Sequence, residues 1–128
     1  MKEEDNRPVY LNPFAHLPII GISSIFHRIS GLALFFIFII VVWMLDRSLS
    51  SEEEFLNLLN DLNNLLLLKV IFYLFLVGIL YHSLIGLKKL ISDFFGIGED
   101  LRSGSLISWV YIFISVLASI CLFFKLFI

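Results

Sequence analysis

Three long apolar runs decide what this chain can fold into. Residues 65–87 hold only Lys69 and His82 as groups that charge near neutral pH. A first uncharged run covers Ile29–Leu45 and a third covers Ser105–Phe124. A helix crossing hydrocarbon needs about 20 mostly apolar residues, because its backbone polar groups must be satisfied within the segment. The pattern predicts an all-α integral membrane protein with three transmembrane helices in one domain over residues 1–128. Composition agrees: 59% of the residues are hydrophobic and 16% charged, against about a quarter charged in a soluble domain. With a formal charge of −2 and no basic cluster, nucleic acid is not an expected partner. Cys121 is the single cysteine, which excludes an intrachain disulfide and a thiolate cluster.

Along the chain, residues 1–16 are polar and broken by Pro8 and Pro13. They read as an N-terminal surface segment with no cleavable leader, so the first span is expected to stay in the mature protein. The first span is placed at about 20–47, with Pro18 suited to its first turn and His27 and Arg28 inside it. The following loop is acidic, with Asp46, Glu52, Glu53, Glu54 and Asp61 against Arg47. Ser51 and Glu54 form a capping-box pattern, and Phe55, Leu58, Leu59 and Leu62 repeat at helical spacing, predicting a short amphipathic helix at the interface. The second span is placed at about 65–90 and the third at about 105–126, separated by a connection holding Gly96, Gly98 and Gly104. Lys2, Arg7, Arg28, Lys88, Lys89 and Arg102 fall on one side of this arrangement, and Arg47, Lys69 and Lys125 on the other. The excess places the N-terminus in the cytoplasm.

His82 is the residue that points to chemistry. An ionisable side chain inside hydrocarbon costs roughly a few kcal/mol on insertion scales, so it reads as functional by default. Gly78, His82 and Gly86 lie at i, i+4 and i+8 on one helix face. Two readings are open: a nitrogen with bare backbone either side to clear a flat ligand such as a porphyrin, or glycines that let another helix approach while the histidine hydrogen-bonds across. Depth brings in the first span. Counting about 1.5 Å per residue, Arg28 and His82 each lie about 12 Å from the same membrane surface. Ser24, His27, Arg28 and Gly31 share a face, offering a hydroxyl, an imidazole and a guanidinium. Arginine and imidazole suit haem propionates, and a hydroxyl beside a cation suits a quinone carbonyl. Each also has a plainer role: Arg28 as a positive-inside anchor, His27 as an interface histidine, Ser24 bonded to its own helix.

Arg7-Pro8-Val9, Ser24-Ile25-Phe26-His27-Arg28-Ile29-Ser30-Gly31 and Tyr81-His82-Ser83-Leu84-Ile85-Gly86-Leu87-Lys88-Lys89-Leu90-Ile91-Ser92-Asp93 resemble the cytochrome b subunit of succinate dehydrogenase over nearly the whole chain. The resemblance implies a membrane anchor for a flavoprotein subunit and an iron–sulfur subunit. A second three-helix anchor subunit would complete the helical bundle among membrane lipid. It implies haem b shared with that second anchor, with His82 as one axial ligand and His27 and Arg28 near the propionates. Ser24 and Arg28 would line the ubiquinone site, and the setting would be a bacterial inner membrane rather than a mitochondrial one. The family often has Arg-His where this chain has Lys88-Lys89, and lysine cannot form arginine's planar fork. Independently of the family, an electron-transfer haem with two axial ligands needs a second histidine from elsewhere, since the second span has one. The chain has no flavin-binding fold, so it would not oxidise succinate by itself. Alternatives are the anchor of a fumarate reductase, or a cofactor-free proton-coupled transporter or assembly adaptor using His82 as proton carrier.

Overall fold

A computed structural model describes residues 18–128; Lys2, Arg7 and the rest of the surface segment lie outside them. The described residues form four helices: α1 Ile19–Ser50, α2 Glu52–Asn64, α3 Leu66–Phe95 and α4 Leu101–Phe127. No strand occurs among them. Three helices, α1, α3 and α4, are long and apolar enough to cross a membrane. They run past the stretches expected from hydropathy alone. α1 continues through Arg47 to Ser50, and α3 carries Lys88, Lys89 and Asp93 to its end at Phe95. A helix end in water or at headgroup level costs no extra desolvation, so hydrogen bonding rather than hydrophobicity sets where it stops.

Local chemistry explains each break. Pro18 precedes α1 in an extended conformation, and its carbonyl accepts from Ile22 N–H at 3.2 Å. Ser51 is also extended and caps α2, its hydroxyl accepting from Glu54 N–H at 3.1 Å. Glu54 does not complete the reciprocal half of a capping box. Its carboxylate turns to Arg47, whose Nε donates at 3.0 Å. Leu65 is a single extended residue between α2 and α3. Gly96 ends α3 at φ 65°, a left-handed cap that glycine adopts without penalty, and its N–H donates to Ser92 O at 2.9 Å.

α3 packs against both α1 and α4, while α2 lies across α1 and α3 at one end of the bundle. Few side chains are fully buried between the helices among the described residues, and several of them are small. The buried residues include Ser23, Ser108 and Ser115 besides Met44, Leu58 and Ile85. Small residues let helix backbones approach closely where lipid removes the hydrophobic drive for association. Gly104 shows how closely: a Cβ there would stand 2.6 Å from Gly98 O and 2.8 Å from Ile20 Cδ1. Large apolar side chains such as Phe35, Phe36, Ile39 and Phe113 face outward along α1 and α4. Such outward apolar surface is at home against acyl chains or other membrane helices.

Candidate functional site

The site lies where α1 and α3 cross, and it is built around two imidazoles. α1 supplies His27, Ser30 and Gly31 on one face; α3 supplies His82 and Gly86. The rings of His27 and His82 stack with centroids 4.1 Å apart and planes within 13°. His82 Nδ1 lies 3.2 Å from His27 O and 3.0 Å from Ser30 Oγ. Ser30 Oγ in turn donates to His27 O at 2.7 Å. A carbonyl only accepts, so the contact with His27 O puts the proton on Nδ1 and leaves Nε2 with its lone pair. That arrangement fixes both the tautomer and the ring orientation, as the outer-shell partner of a metal-bound histidine does.

The glycines beside His82 turn out to serve helix approach. A Cβ on Gly78 would meet Leu34 Cδ2 at 3.1 Å, and one on Gly86 would meet His27 Nε2 at 3.3 Å. α1 therefore covers both positions, and they do not hold open a space for a flat ligand. The glycine that makes room for the imidazole is Gly31, where a Cβ would stand 2.9 Å from His82 Cε1. His27 Nε2 is buried with no hydrogen-bond partner among the described residues, which leaves a polar atom whose burial costs free energy until something pairs with it.

The sequence reading placed Ser24, His27, Arg28 and His82 at one depth. Of these, His27 and His82 are in direct contact, and Ser24 joins His27 in lining a cavity of about 160 Å³. Lys89, Ser92 and Asp93 from the end of α3 line the same cavity. Arg28 is exposed and is not part of that lining; its guanidinium is available to a ligand or chain outside this one. Lys88 reaches across to α4, its Nζ donating to Ser108 Oγ at 2.7 Å, while that hydroxyl donates to Gly104 O at 2.7 Å. Of the Lys88-Lys89 pair, Lys89 is thus the exposed cation.

Two participants were not assigned a role from sequence. Ser30 binds His82, and Tyr81 ties α3 to α1 by donating to Ser23 O at 3.2 Å. Ser30 lies three residues after His27, on the same helix face, which was the available signal. Tyr81 gave none, because its partner is a backbone carbonyl. No cluster of three metal-binding side chains occurs among the described residues, so a metal held here alone would lack a full ligand set. A haem iron, by contrast, asks a protein for one or two axial ligands. One oriented imidazole with a free Nε2 fits that requirement.

Three helices long and apolar enough to cross a membrane, joined by a short amphipathic helix, define a multi-pass membrane protein. The comparisons make the family specific. Residues 4–122 match the family described as Succinate dehydrogenase/Fumarate reductase transmembrane subunit. The chain is also 31% identical over 113 residues to a protein of Coxiella burnetii (strain RSA 493 / Nine Mile phase I) named Succinate dehydrogenase cytochrome b556 subunit. That alignment covers 88% of this chain and 90% of the relative. The chain belongs to the succinate dehydrogenase/fumarate reductase transmembrane subunit family. It is a membrane subunit of a complex that also contains flavoprotein and iron–sulfur subunits.

Proposed function

We propose that this chain is the haem b- and ubiquinone-binding anchor of a bacterial succinate dehydrogenase, seated in the inner membrane beside a second three-helix anchor. The observation that carries the reading is the set of His82, with Nδ1 held by His27 O and Ser30 Oγ and Nε2 left as a ligand. Haem b bound there supplies a centre that takes up and gives back one electron at a time. His82 would hold the iron through Nε2, and the partner anchor would supply the other ligand. His27, with its buried unpaired Nε2, and Arg28 serve the propionate side.

Ubiquinone is the substrate, reduced by electrons delivered through the iron–sulfur subunit. Two electrons and two protons convert its carbonyls to hydroxyls, and negative charge builds on an oxygen before each proton arrives. Arg28 stabilises that charge, and Ser24, one turn earlier on the same helix, donates a hydrogen bond to the same region. The family covers fumarate reductases as well, in which the same anchor would pass electrons from quinol.

The test is the reduced-minus-oxidised spectrum of the purified complex. Wild-type complex should show a low-spin haem b spectrum, and His82→Ala should lose or weaken it while the subunit still inserts. An unchanged low-spin spectrum in His82→Ala rejects the ligand assignment, and no haem spectrum in the wild type rejects the cofactor.

A further inference from the structure

At the end of the bundle away from the imidazole pair, a second cavity of about 310 Å³ opens between α2, α3 and α4. Lys69 in the first turn of α3 and Lys125 in the last turn of α4 both line it. The two helices are antiparallel, so the ammonium groups stand at the same level. The remaining walls are mostly apolar, with Leu59 and Leu62 from α2, Phe72 from α3 and Leu126 from α4. Lys69 Nζ also sits 5.8 Å from the centre of the Phe127 ring. Among the described residues neither lysine has a carboxylate within 4 Å. The ion pairs found there belong to Arg47, which engages Glu54 and Asp61 of α2.

We propose that this cavity binds an anionic glycerophospholipid, with the phosphate between Lys69 and Lys125 and an acyl chain along Phe72 and Leu126. Two observations select a lipid over a soluble anion. The cations sit in the terminal turns of two long apolar helices, the part of a span that meets the headgroups. Four of the named wall residues are hydrocarbon, which a free phosphate would leave unpaired and an acyl chain would cover. Basic groups beside membrane helices attract anionic headgroups in this way, each lysine contributing about fivefold to binding. The bound lipid would join the surface helix α2 to the ends of α3 and α4. This site is independent of the haem and quinone assignment.

The experiment uses the intact purified complex in nanodiscs, with phosphatidylglycerol or phosphatidylcholine as the guest lipid and native mass spectrometry as the readout. Wild-type complex should retain phosphatidylglycerol at least about tenfold better than phosphatidylcholine. A Lys69→Gln, Lys125→Gln double variant should bind it roughly 30-fold more weakly. The Lys69→Arg, Lys125→Arg double variant and Arg102→Gln, at the opposite end, should keep it. Equal retention of the two lipids by the wild type overturns the proposal, as does an unchanged preference in the glutamine variant. Displacement by millimolar inorganic phosphate would show a free-anion site and also overturn it. Should the glutamine variant fail to assemble, the wild-type lipid comparison and the phosphate competition decide by themselves.

Discussion

A carbonyl and a hydroxyl fix the His82 ring, and a missing Cβ makes room for it; each can be changed singly. Ser30→Ala removes one of two acceptors around Nδ1, a change of about 0.5–1.5 kcal/mol for one hydrogen bond. The imidazole keeps its bond to His27 O, so the haem spectrum should shift slightly without being lost. Gly31→Ala is harsher, because its Cβ would stand 2.9 Å from His82 Cε1 and the ring must move. A reduced-minus-oxidised spectrum should show the larger perturbation in Gly31→Ala, and the reverse order would contradict the geometry. At the proposed quinone site, Ser24→Ala and Arg28→Ala should depress quinone reduction while sparing an artificial acceptor that takes electrons upstream. Arg28 should matter more, since charge-assisted hydrogen bonds are roughly twice as strong as neutral ones. Arg28→Lys is no neutral control, because the planar fork is lost. Equal loss with both acceptors would indicate failed assembly, and full retention of quinone reduction would remove these residues from the site.

Between elements, two contacts outside the site can each be tested by a single substitution. Arg47 at the end of α1 bonds Glu54 at 3.0 Å and Asp61 at 2.9 Å, with its guanidinium 5.3 Å from the Trp43 ring. One arginine thereby reaches two positions of α2 and lays it against α1. Ion pairs of this exposure contribute about 0–1 kcal/mol each, so Arg47→Ala should leave the spans intact and loosen α2 alone. Hydrogen exchange should rise several-fold in Glu52–Asn64 and stay constant in the middle of α1 and α3; a uniform rise would mean that the whole bundle depends on Arg47. The second contact is Gly104 on Gly98, where a methyl group would overlap the backbone oxygen. Gly104→Ala should push α4 away from the α3–α4 connection and cost about 1–3 kcal/mol, the range for overpacking. The melting temperature of the detergent-solubilised complex reads it.

Across the described residues, three helices able to cross a membrane predict that the start of α1 and the end of α4 lie on opposite sides. The lysine and arginine bias of the sequence predicts position 2 in the cytoplasm and position 125 outside. Single cysteines at Lys2 and Lys125, introduced after Cys121→Ala because the native thiol is exposed, should be labelled from opposite sides by an impermeant reagent. Labelling of both from one side would be incompatible with three crossings. The outward Phe, Ile and Leu side chains of α1 and α4 are surface that lipid or other membrane helices must cover.

By itself the sequence determined the three long apolar helices, the short amphipathic helix and the level at which His27 and His82 meet. These follow from one-dimensional signals: the length of an apolar run, a serine three residues before a glutamate, a count of residues from a helix end. The Ser24–Gly31 and Tyr81–Asp93 motifs also marked the family in which the chain belongs. Tertiary structure alone decided what the residues at that depth do to one another. Hydropathy fixes how deep His27 and His82 lie but not their rotation about their helix axes, so the ring stack, the Ser30 contact and the cover of Gly78 and Gly86 by α1 could not be read beforehand. The reach of Lys88 to Ser108 and of Tyr81 to a carbonyl was hidden for the same reason. Each depends on how close two backbones come, and that distance is set by small residues on both helices at once.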